Sequence, residues 1–213
     1  PYSAKTYCMS RLEKSSDAKL KALCVALLNY GASAQEYFAA TSDYTYSTLM
    51  NADLTSAQKG LVQAYNSTMM NPRGTVTAAK AGVFGTTNNG YSLRSASMSA
   101  DGIFSINYYF TTANPATTVT MYYWTEADFN AVSTLTTANA TGSKKMVATG
   151  TANQFWADID GIAAKDLDKT IYVCGVYFLN GTTYYTGVIP YSLGFYCSNK
   201  AENGGADIKP MAA

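Results

Sequence analysis

Leu20, Leu23, Cys24, Leu27, Leu28 and Gly31 recur at three- and four-residue spacing. That periodicity lines apolar side chains along an α-helix. It predicts an amphipathic helix that Ala and Gln residues extend to about Phe38. Upstream, Ser3 is placed to cap a short helix running to about Leu12, and Ser15-Ser16-Asp17 supplies a turn and the next cap. Two helices joined by so short a loop make an antiparallel hairpin. Residues 41–54 read as loop, Thr55 or Ser56 caps a third helix through about Tyr65, and Asn71-Pro72-Arg73-Gly74 is a turn.

From residue 75 the apolar spacing changes to two. The predicted strands are 75–84, 91–98, 103–112, 117–124, 144–149, 153–160, 170–179 and 182–189. Asn88-Asn89-Gly90, Asp101-Gly102, Asn114-Pro115, Gly142 and Asn180-Gly181 separate them, and the last favours a type I′ hairpin turn. Short strands with regular turns predict a sandwich. Ala164 to Tyr172 reads as the lead-in to a tyrosine corner, a feature of immunoglobulin-type domains. The expected fold is α+β: mainly an antiparallel β-sandwich of immunoglobulin or fibronectin-III type with Greek-key connections, an N-terminal helical hairpin and a short C-terminal helix. The expected divisions are 1–70 (helical hairpin), 71–190 (sandwich) and 191–213 (start of a second helical unit).

An internal repeat motivates that last division. Pro1-Tyr2-Ser3 with Tyr7-Cys8 recurs as Pro190-Tyr191-Ser192 with Tyr196-Cys197, at an offset of 189 residues (190 − 1) in all five positions. After a one-residue slip, Leu20-Lys21 and Leu23 match Ile208-Lys209 and Met211. The pattern implies a longer parent in which helical hairpins alternate with sandwiches, with Ala213 falling inside the next hairpin's second helix. Repeated modules of this kind serve recognition or spacing.

Composition narrows the chemistry. With 47% hydrophobic residues the chain has enough apolar material for a core, and a formal charge of +1 gives no case for nucleic acid or an anionic membrane surface. Only 14% of residues are charged, and Thr, Ser, Asn and 18 Tyr stand in their place, as in extracellular β-proteins. There is no histidine, which removes Ser-His-Asp and Cys-His catalysis and His metal sites. No apolar run is long enough to span a bilayer. Pro1-Tyr2-Ser3 is not a signal peptide, so a secreted protein would be represented here by a mature or excised piece. Cys8, Cys24, Cys174 and Cys197 form no CxxC pair, which argues against zinc. They are expected as buried thiols or one disulfide, with Cys8 and Cys24 on facing helices of one hairpin.

Leu28-Asn29-Tyr30-Gly31-Ala32-Ser33-Ala34-Gln35-Glu36-Tyr37-Phe38 resembles the "LNYGAAAQ-YF" segment of large secreted or surface-anchored proteins of anaerobic Gram-positive gut bacteria. Residues 121–132 and 161–178 resemble the sandwich half of the same repeat modules. The resemblance implies an extracellular or cell-surface location and a place in polysaccharide-degrading or adherence systems. It supplies no catalytic residues.

Strand alternation sorts the aromatic side chains by face. Trp156 falls with Gln154 and Asp158, opposite Phe155, Ala157 and Ile159. Trp124 falls with Thr120 and Tyr122, opposite Val119, Met121 and Tyr123. Asn107 and Tyr109 fall outside a strand whose even positions are core. Aromatics set among amides and carboxylates suit sugars, whose apolar ring faces stack while their hydroxyls take hydrogen bonds. The candidate ligand-binding set is therefore Trp156, Gln154, Asp158, Trp124, Tyr122, Tyr109 and Asn107. Packing is the competing use, because sandwiches commonly bury a tryptophan and the helical segment offers cover for a sheet face.

Glu126, Asp128, Asp158, Asp160, Asp166 and Asp168 show no spacing that specifies a glycosidase pair, so no enzyme is expected. Asp158-Ile159-Asp160-Gly161 holds part of a calcium loop without its remaining ligands; no cofactor is expected beyond that fragment. Asn66-Ser67-Thr68, Asn139-Ala140-Thr141 and Asn180-Gly181-Thr182 are formal glycosylation sequons. Two functions fit: a non-catalytic surface module binding polysaccharide, with starch or a plant glucan as ligand, and a structural spacer or self-assembling repeat whose partners are neighbouring modules or subunits.

Overall fold

The computed structural model describes residues 3–41, 49–59, 76–85, 91–99, 103–113, 118–206 and 208–209. The predicted turns at 71–74, 88–90, 101–102 and 114–115, the third helix beyond Lys59, the sequon at Asn66, and Pro1, Tyr2 and Met211 of the repeat lie outside these residues. The chain divides into two compact units, Pro1–Asn66 with Cys197–Ala213, and Ser67–Tyr196.

The first unit opens with α1 (Ala4–Lys14) and α2 (Ala18–Thr41). The Ser3 hydroxyl accepts the Thr6 N–H at 3.1 Å, and Asp17 Oδ1 accepts those of Lys19 and Leu20 at 2.9 and 3.2 Å. Each cap satisfies donors that a helix start leaves without partners. Cys8, Cys24, Val25, Leu28 and Leu54 form the core of this unit. A third helix, α3 (Ser56–Lys59), begins with a reciprocal Thr55–Gln58 cap. The polar residues of the Leu28–Phe38 segment fasten residues 49–59 to α2. Asn29 accepts from Asn51 Nδ2 at 3.0 Å and donates to the Lys59 carbonyl at 3.2 Å, while Gln35 Oε1 accepts the Met50 N–H at 2.7 Å. Gly31 leaves room for the Met50 thioether, which any β-carbon there would meet. Lys5 adds an ion pair to Asp53 at 2.8 Å. Leu23, Leu27, Tyr30 and Phe38 remain exposed, Leu23 at 65%.

The second unit departs from the sequence reading at once. Within the predicted strand 75–84 the described residues form α4 (Ala78–Ala81) followed by a 3₁₀ turn, Gly82–Gly85. Thr77 accepts the Lys80 N–H and starts the helix; Gly82, at φ 54°, ends it. There follow β1 (Ser92–Ser99), β2 (Phe104–Thr111), β3 (Val119–Thr125), α5 (Glu126–Ala131), β4 (Gly142–Lys145), β5 (Val147–Ala148), β6 (Gln154–Ile162), β7 (Ile171–Leu179), β8 (Thr182–Tyr185) and β9 (Ile189–Tyr191); α6 (Leu193–Asn203) begins in this unit and belongs to the first from Cys197 onward.

One antiparallel sheet runs β1-β2-β6-β5, and the other β4-β3-β7-β8 with β9 also on β7. Taking β8 and β9 as one interrupted strand, this is the ABED and C′CFG order of an immunoglobulin-type sandwich. Two predicted strands are divided. Residues 144–149 change sheets at Met146: β4 pairs β3 while β5 pairs β6. Residues 182–189 break at Thr186-Gly187, where the Thr186 hydroxyl accepts the Gly175 N–H at 2.9 Å. Asn180 and Gly181 take φ 50° and 79°, as the type I′ turn requires. Tyr172 stacks on Phe129, with ring centroids 3.5 Å apart.

Between the sheets lie Ile106, Tyr108, Phe110, Phe155, Ala157 and Ile159 from one side and Val119, Met121, Val173 and Tyr177 from the other. Tyr108 is buried and its hydroxyl has no hydrogen-bond partner among the described residues. Burial pushes that phenol's pKa upward, and the neighbouring Tyr191 adds to the shift. A buried unsatisfied hydroxyl destabilises a fold by about 1–3 kcal/mol. Tyr108→Phe is therefore expected to raise unfolding free energy by about 1 kcal/mol in urea melts; lowered stability would show that the hydroxyl is satisfied.

The repeat is structural as well as sequential. Helices α1 and α6 are both 11 residues long, and their ends differ by the offset found in sequence. The Ser192 hydroxyl accepts the Phe195 N–H at 2.9 Å, as Ser3 does for Thr6. The closing bonds correspond too: Ser15 N–H to the Arg11 carbonyl, and Gly204 N–H to that of Lys200. The one-residue slip then appears in the next turn, where Lys21 donates to Asp17 and Lys209 to Gly205.

Candidate functional site

The outer face of β1-β2-β6-β5 gathers five of the predicted residues. Tyr109 sits opposite Trp156, Asn107 opposite Asp158, and the Thr111 position opposite Gln154. Direct opposition on adjacent antiparallel strands brings Cβ atoms within about 5 Å. The burial patterns of β2 and β6 alternate accordingly. Asn107, Tyr109, Trp156 and Asp158 are half-buried, while Tyr108, Phe110, Ala157 and Ile159 are buried. Neither Tyr109 nor Trp156 makes an aromatic ring contact among the described residues.

Neighbouring strands extend the rows. Val147 pairs with Trp156 and is 57% exposed; Ser95 pairs with Tyr109, and Ser97 with Asn107. An apolar row, Tyr109–Trp156–Val147, thus crosses three strands, about 10 Å at ordinary strand spacing. On one side lie Ser97, Asn107 and Asp158, where Asn107 Nδ2 donates to Ser97 Oγ at 3.4 Å. On the other lie Thr111 and Gln154; Gln154 is buried and its Oε1 accepts from Thr149 Oγ1 at 3.2 Å. Sequence reasoning missed Val147, Ser95 and Ser97. Their parity against Met146, Ala96 and Met98 was the available signal.

Trp124 is a correction. It is 0% exposed, so no surface ligand reaches it. Its ring meets the Phe84 edge at 5.2 Å, and its Nε1 donates to Asn139 Oδ1 at 3.0 Å. The cover comes from the sandwich unit itself. Residues 76–85 and 126–139 close over the outer face of β3 and β7, forming a second core with Phe84, Phe129, Leu135, Tyr172 and Cys174. Tyr122 shares that face, half-buried 6.2 Å from Phe84, and lines a cavity of about 490 Å³ with Phe84, Val176 and Tyr185. It therefore belongs to a different surface from Trp156.

The acidic residues have structural uses. Glu126 accepts the Thr170 N–H at 2.9 Å. Asp128 accepts the hydroxyls of Thr141 and Thr125, which hold its pKa below the usual aspartate value. Asp160 lies 3.7 Å from Lys144, and Asp166 2.6 Å from Lys165. Glu126, Asp160 and Asp166 line a cavity of about 490 Å³ with Tyr123, Ile162 and Lys169. Among the described residues no three acids or cysteines gather as a metal site, and no helix is long and apolar enough to cross a membrane. All four cysteines are thiols.

No protein-family model matches the chain, and no curated protein matches it. A solved structure titled "Crystal structure of Br derivative BhCBM56" aligns with 50% of this chain and 96% of its own, at 14% identity and a TM-score of 0.33. That overlap is too slight to carry a fold or a ligand across.

Proposed function

We propose that this chain is a non-catalytic extracellular module that binds polysaccharide, starch or a plant glucan, on the outer face of β1-β2-β6-β5. The observation that supports this reading is the Tyr109–Trp156–Val147 row, flanked by Asn107 and Asp158 and by Thr111 and Gln154. A sugar's apolar face stacks on the indole and phenol, and its hydroxyls reach the amides and the carboxylate on either side. A face exposed across three strands suits a polymer crossing it more than a small molecule needing enclosure.

Native electrophoresis in gels containing soluble starch, xyloglucan, mixed-linkage glucan or pectin tests this. Wild type is expected to be retarded by one polymer. Trp156→Ala is expected to weaken binding at least about tenfold, equivalent to about 1.4 kcal/mol, while the core variant Trp124→Phe keeps it. Free migration through all four gels would overturn the reading.

A second reading is a self-assembling repeat whose partner is another copy of the same helical unit. Two observations favour it: the shared capping of α1 and α6, and the exposed Leu23–Leu27–Tyr30–Phe38 stripe on a helix already packed along its other face. Sedimentation of the same wild-type sample separates the two. Concentration-dependent growth in mass with no glycan retardation would put assembly first.

A further inference from the structure

The first core contains a feature that glycan binding does not use. Cys8 on α1 and Cys24 on α2 are 1% and 2% exposed, and the neighbouring Cys24 adds to the burial that raises the Cys8 pKa. They sit on adjacent helices in one cluster with Val25, Leu28 and Leu54. The other two thiols are placed differently. Cys174 is buried in β7 of the sandwich unit, where the Thr186 hydroxyl reaches its sulfur at 3.7 Å. Cys197 occupies in the second copy the position that Cys8 holds in the first, but Ala212 stands where that copy would have its Cys24.

We propose that Cys8 and Cys24 are a disulfide-forming pair which clips α1 to α2 when the chain meets a small-molecule disulfide. The inference stands independently of the glycan reading. One cysteine loses its proton, and its thiolate attacks a sulfur of the reagent, releasing one reagent thiolate. The second cysteine, also deprotonated, attacks the protein-bound sulfur of that mixed disulfide and releases the other. The Cys8–Cys24 bond forms, the reagent S–S bond breaks, and two electrons pass from the protein to the reagent. The two cysteine protons end on the two reagent thiols. Burial and the neighbouring thiol push the Cys8 pKa up to about 11, so the closed hairpin reacts slowly and exchange proceeds through transient separation of the two helices. The link closes the 17-residue stretch from Cys8 to Cys24 (24 − 8 + 1), and closing such a loop restricts the unfolded chain.

The test incubates the full chain with oxidised glutathione, quenches with acid, and counts thiols after denaturation. Peptide mapping without reductant then locates any link. The expected result is loss of two thiols, one peptide pair joining Cys8 to Cys24, and free Cys174 and Cys197. Far-UV melting of the oxidised chain is expected to shift upward by at least about 5 °C, and Cys8→Ala should abolish both changes. Because Cys8→Ala opens a core position, the wild-type mapping decides. Four remaining thiols, stable glutathione adducts on Cys8 or Cys24, or a link that uses Cys197 or Cys174 would each overturn the proposal.

Discussion

Trp124→Ala is expected to lower unfolding free energy by about 4 kcal/mol, the usual cost of truncating a fully buried indole. The side chain is sealed between β3 and the segments that cross it, with Phe84 edge-on at 5.2 Å. Deleting the indole opens a cavity among Phe84, Leu135 and Cys174, which belong to the same buried cluster. It also removes one donor from Asn139, although that side chain keeps its bonds to the Thr136 N–H at 2.9 Å and the Thr134 carbonyl at 3.0 Å. Trp124→Phe keeps most of the volume and should cost about 1–2 kcal/mol. Urea unfolding checks both. An Ala variant within about 1 kcal/mol of wild type would show that the cover over β3 is not fixed.

Gly175→Ala is the second large effect, about 1–3 kcal/mol destabilising by overpacking. Gly175 faces the sandwich core from β7, and a β-carbon there would lie 2.6 Å from the Tyr91 hydroxyl and 2.9 Å from its Cζ. Tyr91 has little freedom to yield. It is 0% exposed, edge-on to Tyr177 at 4.7 Å, and in contact with Phe110. The backbone is equally constrained, since Gly175 exchanges bonds with Thr186 through both its N–H and its carbonyl. The nearest clash is with the phenolic oxygen, so Tyr91→Phe in the same chain should recover part of the loss. That non-additivity, measured in a double-mutant cycle, separates a steric cause from a general strand effect. Strictly additive costs would rule the clash out.

The helical hairpin, its caps and most strands were legible because they depend on local signals. Ser3, Asp17, Thr55 and Asn180-Gly181 act within three residues of themselves. What was not legible depended on neighbours distant in sequence. Period-two alternation correctly separated Trp124 from Val119 and Met121, but it cannot say that residues 76–85 return to cover the outer face. Those residues read as a strand because Val76, Val83 and Phe84 are apolar; Thr77 and Gly82 instead bound a short helix, and Phe84 is left to pack on Trp124. Likewise Lys144 to Thr149 looks continuous, and only the competition of β3 and β6 for partners makes it change sheets at Met146. For the candidate site, parity brought Tyr109, Asn107, Trp156 and Asp158 to one face, and register then made them opposing pairs. The same logic placed Trp124 and Tyr122 on a face that other segments occupy.

The interruption between β8 and β9 bears on what the protein avoids. A long, even sheet margin invites a foreign strand to add itself and begin aggregation. Here that margin is four residues, a kink with Gly187 at φ 80°, and three more residues that include Pro190, which has no N–H to offer. The Thr186 hydroxyl takes over a backbone acceptor's task at the kink, so β7 stays satisfied while its outer neighbour presents no run long enough to recruit another chain. A chain rich in tyrosine and threonine and poor in charge has little electrostatic repulsion to keep copies apart; at this edge of its sheet the broken margin performs that service by shape.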